Sequence, residues 1–90
     1  MDDKTIRDRQ AMFEDLKEKA VTWRARNGYT EKGGVIVFFQ GEVQGWCNAL
    51  RDPQHWQPGC LAVDQFGVVF QTVGGNAQDG ANGWQIMLAL

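Results

Sequence analysis

Cys47, Asp52 and His55 place a thiol, a carboxylate and the chain's one imidazole in a single short segment, with a second thiol at Cys60. Such a set invites two chemistries. A thiol hydrolase would need the Cys47 sulfur within hydrogen-bond reach of His55, and amide donors for the oxyanion that develops on the substrate. A metal-dependent hydrolase would need Cys47, His55 and Cys60 to converge on one ion. Neither has the spacing of an established motif: no CxxC pair occurs, and Cys47 falls in a strand-like pattern where its side chain serves equally well as core. These residues read first as structure, with no cofactor and no metal expected. A small hydrolase using Cys47 and His55 is the alternative.

The same segment makes better sense as a recognition surface. Trp46, Arg51, Asp52, His55, Trp56 and Gln57 gather around a loop that carries Pro53 and Pro58. Trp and Arg are the side chains that most often anchor interfaces, and a loop held by two prolines loses little entropy on binding. A purely structural reading competes with this one, in which Trp56 folds back over the sheet edge and Arg51 pairs with Asp52. The glycine-rich run from Gly74 to Gly83 is expected to assist, through Asn76 and Asp79. Its free amides suggest anion binding, but it lacks the following Lys-Ser/Thr and the helix N-terminus of a phosphate loop. Asn76 and Asp79 also lack the EF-hand pattern of calcium ligands.

Charge narrows the partners. Eight of the nine Lys and Arg lie in residues 1–32 beside seven acids, a net of +1, whereas residues 33–90 hold Arg51 alone against four acids, a net of −3. That is too little basic surface to follow a phosphate backbone, so direct nucleic-acid binding is not expected, and a DNA-binding regulator is a third, less favoured reading. The apolar runs fall far short of the roughly 20 residues that span a bilayer, and the N-terminal stretch is charged. A cytoplasmic protein with no membrane association is expected. Two cysteines are too few for a disulfide framework, and in a reducing compartment both are expected as thiols.

The elements that must position these residues follow from periodicity. Ile6, Phe13, Leu16, Ala20 and Trp23 recur at helical spacing and define an amphipathic helix over about residues 3–27. Asp2, Asp3 and Thr5 suit its start, Arg24 and Arg26 its negative end, and Asn27-Gly28 its stop. Val35 to Phe39 is a strand apolar on both faces, turned through Gln40-Gly41 into a second strand in which Gly45 marks a bulge or a close approach. Further strands are expected at Cys60 to Val63, at Val68 to Val73 and at Trp84 to Leu90. Asp64 opens and Gly67 closes the turn between the first two of these. Trp84, Ile86, Leu88 and Leu90 should share one face of a strand paired inside the sheet or buried in a partner. The reading is a single α+β domain over residues 1–90, with one long N-terminal helix packed on a four- to five-stranded antiparallel sheet spanning about residues 34–90. A small curved barrel is the alternative. One helix covers only one sheet face, so a homodimer across the other is a further alternative to the single chain.

Between residues 34 and 84 the chain resembles small accessory proteins of conjugative plasmids and phages, in particular antirestriction proteins of the ArdR type. The likeness lies in the strand ending in Gln40-Gly41, in Gly45-Trp46, Asn48, Leu50-Arg51-Asp52, Pro58-Gly59, Ala62-Val63-Asp64 and Gly67, and in the late Gly74-Gly75, Asp79-Gly80-Ala81 and Trp84. These are mostly turn residues, and the helix is not part of the match. The resemblance implies a non-enzymatic, protein-binding accessory protein of a phage or plasmid that counters host defence by touching a host protein. The near-neutral charge argues against the DNA-mimic mode of such proteins.

Overall fold

The computed structural model describes residues 3–88 and, of their side chains, those of residues 7–87. The expected N-terminal cap at Asp2, Asp3 and Thr5, the Ile6 position of the helical stripe, and Leu88 and Leu90 on the last strand lie outside the described side chains. A helix, α1 (Asp3–Asn27), precedes five strands: β1 (Val35–Phe39), β2 (Glu42–Cys47), β3 (Leu61–Asp64), β4 (Val69–Val73) and β5 (Gly83–Leu88). Every pairing is antiparallel, in the order β2-β1-β3-β4-β5. The order runs from β2 to β5 without closing, so the domain is an open α+β sandwich and not a barrel.

Helix and sheet meet as the periodicity requires. Phe13, Leu16 and Ala20 are buried against Ile36, Phe38, Val63 and Val69, with Trp23 packed at the margin. Each large side chain so buried contributes roughly 1.5–3 kcal/mol. The helix stops at Gly28, whose φ is +73°, and the Tyr29 N–H donates back to the Arg24 carbonyl at 2.8 Å, closing a Schellman turn. Glu14–Lys17 and Asp15–Lys19 pair on the outer face at 3.6 and 3.1 Å.

Arg24 does more than its place in the last turn requires. It is only 5% exposed, and its guanidinium donates to the carbonyls of Tyr29 (3.1 Å), Gly33 (2.7 Å) and Gly34 (2.9 Å). Besides standing in the last turn of the helix, where its charge complements the dipole as read from sequence, it ties the connector to the helix. Burial pushes its pKa down, and the Asp64 carboxylate pulls it back up.

The β1–β2 hairpin turns through Gln40 (φ 52°) and Gly41 (φ 81°), a two-residue loop with positive φ at both central positions, as the twist of the strands favours. Lys19 reaches across to donate to the Gly41 carbonyl at 3.1 Å. Because glutamine carries the steric cost of the left-handed region that asparagine largely avoids, Gln40→Asn is expected to stabilise by about 0.5–1 kcal/mol. A thermal melt should show a rise of roughly 3–6 °C, and an unchanged or lower midpoint would contradict the turn assignment.

Alternation alone would set Trp46 and Val43 on opposite faces, and a bulge beside Gly45, one of the two features expected there, brings them together. The register slips between Val37↔Gly45 and Phe38↔Val43, leaving Gln44 as the extra residue of a bulge beside Gly45. The bulge restores Val43 and Trp46 to one face, and both pack on the helix-side cluster. On β5, Trp84 joins the second cluster and Ile86 sits opposite Phe70 of the same cluster, while Met87 packs toward the helix side as alternation requires; a second slip follows, between Phe70↔Ile86 and Val69↔Leu88. β5 is not inside the sheet: it is an edge strand, and Ile86 is 58% exposed.

The second sheet face is roofed by the chain itself. Val35, Val37, Cys60 and Ala62 form a second cluster, onto which Leu50 and Trp56 pack from the proline-bearing loop. The observation that motivated a dimer across this face, a lack of cover, therefore has a partial answer within one chain.

Candidate binding site

That roof is also one wall of the candidate site. Pro53–His55 forms a turn of 3-10 helix in which the His55 N–H donates to Asp52 O at 2.9 Å and the Trp56 N–H to Pro53 O at 3.0 Å. Asp52 precedes it in the left-handed region (φ 49°, ψ 53°) with no capping bond from its side chain. A non-glycine residue held there costs of order 1 kcal/mol and persists only where its surroundings demand it.

Two sets of contacts make that demand. On one side, Thr72 of β4 is 1% exposed; its hydroxyl donates to Gln57 O (2.8 Å) and accepts from the Cys60 N–H (2.9 Å), while Gly59 N–H donates to Thr72 O at 3.1 Å. On the other, the glycine-rich loop docks on the 3-10 turn. The Ala81 N–H donates to Trp56 O (2.8 Å), and buried Gly80, with φ +88°, packs so closely that a Cβ would collide with the Gln54 carbonyl. The two loops read separately from sequence form one unit.

Within that unit Trp46, Cys47, Asn48, Arg51, Asp52, His55 and Trp56 line one cleft of about 510 Å³. Arg51 and Asp52 stand on the rim, their side chains 63% and 49% exposed and 3.8 Å apart. An exposed pair at that distance contributes little to stability, which leaves both groups free to exchange partners. Cys47 is half-buried on the strand side. Trp46 has its ring committed elsewhere: its indole N–H donates to Gly33 O at 2.9 Å, and it meets Tyr29 edge-on at 5.1 Å, as Tyr29 meets Trp23.

The remaining expected residues are placed outside the cleft. Gln57 is exposed and uses its carbonyl to accept from Thr72, lining a smaller neighbouring hollow of about 280 Å³ with His55 and Trp56. Asn76 and Asp79 build their own turn. Asn76 Oδ1 accepts from the Gln78 and Asp79 amides at 2.9 and 2.7 Å, and its Nδ2 donates to Asp79 Oδ2 at 3.0 Å. The loop is thus tightly turned about Asn76. Thr72, Gly80 and Asn48 are not among the site residues expected from sequence, although Gly80 and Asn48 belong to the resemblance. Thr72 reads as an ordinary strand residue and Gly80 as one of four glycines in its loop, because neither partner lies nearby in the chain.

Burial pushes the Cys47 thiol up, with Arg51 lowering it and Asp52 raising it further. Cys60 is also raised by burial, against the Thr72 hydroxyl and the Gln57 main chain. Both thiols are free, and β1 lies between Cys47 on β2 and Cys60 ahead of β3. No group of three or more His, Cys, Asp or Glu among the described residues is arranged to hold a metal ion. No helix among them is long and apolar enough to cross a membrane. Compared with protein-family models, with curated proteins and with solved structures, the chain matches none.

Proposed function

We propose that the protein is a non-enzymatic binding protein that captures a host protein through the Arg51–Trp56 cleft, in the manner of an accessory protein of a phage or plasmid that counters host defence. The observation that carries the reading is the convergence of Arg51, Asp52, His55 and Trp56 on one cleft whose wall is fixed from both sides. A rigid loop presenting arginine beside a half-buried tryptophan binds with little ordering cost. The mobile-element context rests on the resemblance alone. The raised thiol at Cys47 favours this reading over thiol catalysis, which needs the thiolate.

The test has two arms. Arg51→Ala and His55→Ala, both at exposed positions, should leave the melting curve unchanged and cut capture of the partner from a host lysate at least about tenfold. Trp56→Ala is less clean, since Trp56 also packs on the sheet. Alkylation of folded protein at pH 8 should proceed more slowly at both cysteines than at free cysteine, and slowest at Cys60. Undiminished capture by both cleft variants would remove the proposal, and a Cys47 that reacts faster than free cysteine would move the reading to the hydrolase.

A further inference from the structure

The outer edge of β5 is a surface that neither the fold nor the cleft uses. β5 ends the sheet, and among the described residues nothing pairs with its outward main-chain groups. Native edges are ordinarily blunted by charge, proline or a bulge. The opposite edge is: β2 carries Glu42 and has its bulge at Gln44, in mid-strand. β5 reads Gly-Trp-Gln-Ile-Met-Leu, without charge or proline, and its bulge lies at its far end, beyond Ile86. Beside it runs an apolar row that the loop roof leaves open. Ile86 is 58% exposed next to Phe70, and Phe70 lines a hollow with Leu50 and with Phe66, which is 66% exposed.

We propose that this edge pairs with a second copy of the chain, β5 running antiparallel to β5 about a two-fold axis, so that two five-stranded sheets become one. The occupant follows from the strand's composition. A two-fold axis sets a strand against itself, which is tolerable only where no charge meets its like. β5 satisfies this condition. Its one polar side chain is Gln85, so it offers no charge by which a foreign strand would be selected. Antiparallel self-pairing matches outward donors to acceptors and extends the Phe70–Ile86 row across the axis.

Sedimentation equilibrium of the full chain, from low micromolar to submillimolar concentration, should show twice the chain mass at the upper end. Ile86→Lys sets ammonium groups near each other across the axis and should weaken association at least about a hundredfold, with an unchanged far-ultraviolet spectrum. Glu42→Lys, on the other edge, should leave it unaltered. Hydrogen exchange of the wild type should show β5 amides gaining protection as concentration rises, a readout that does not depend on any variant folding. A monomer at all concentrations overturns the proposal. So does association that Glu42→Lys weakens as much as Ile86→Lys, or β5 protection that rises only when an extended peptide is added.

Discussion

Gly80→Ala is expected to cost about 3 kcal/mol or more, and to release the 3-10 turn from the glycine-rich loop. Two penalties combine. A Cβ at φ +88° is strained by roughly 1 kcal/mol, and it would meet the Gln54 main chain, which has no flexible side-chain end to move aside. The contact would be relieved by lifting the loop, which breaks the Ala81 N–H bond to Trp56 O and unpacks one wall of the cleft. Gly28→Ala is the control: its φ is +73°, yet nothing lies within 4 Å of the added carbon, so only the backbone penalty of about 1 kcal/mol applies. Urea unfolding of the two variants should therefore differ by about 2 kcal/mol. Equal losses would mean that the two loops do not form one unit, and the rigidity invoked for partner capture would fall with it.

Arg24→Met is expected to cost about 2–4 kcal/mol, a fall in melting temperature of roughly 10–20 °C for a domain of this size. Methionine keeps the buried apolar stem and removes the donors. The three carbonyls are not equally harmed. Gly33 O still accepts from Trp46 Nε1, and Tyr29 O from the Lys32 N–H at 3.1 Å, but Gly34 O has no other donor among the described residues. The loss should thus concentrate at the entry to β1, seen as faster amide exchange from Val35 onward than in the wild type. Arg24→Lys should fall between, since one ammonium keeps the charge but not the planar fork. A variant with methionine as stable as wild type would show that the desolvation cost of the guanidinium cancels its bonds.

How much of this was legible in the chain depends on how far apart the interacting residues lie. The Phe13, Leu16, Ala20 stripe announced a helix with one buried face, and Val35 to Phe39 announced a strand buried on both. Gln40-Gly41 and Asp64 to Gly67 announced their turns, the second with the Asp64 carboxylate accepting from the Phe66 and Val68 amides at 2.8 and 2.9 Å. All of these rest on spacings of a few residues, where backbone geometry alone decides.

What periodicity and turn chemistry determined here is the antiparallel α+β plan, and the set of side chains able to form a recognition surface. Only the tertiary structure decided which of them meet. The bulge at Gln44 turned Trp46 to the helix side, the Asn76 turn consumed Asp79, and Thr72 with Gly80 fixed the loop that brings Arg51, His55 and Trp56 to one cleft. The same holds for Arg24, whose neighbours could have been water at a helix end and are instead the carbonyls of the connector. Such outcomes depend on contacts between segments distant in sequence, where steric fit and the pairing of buried polar groups select among local options of nearly equal energy.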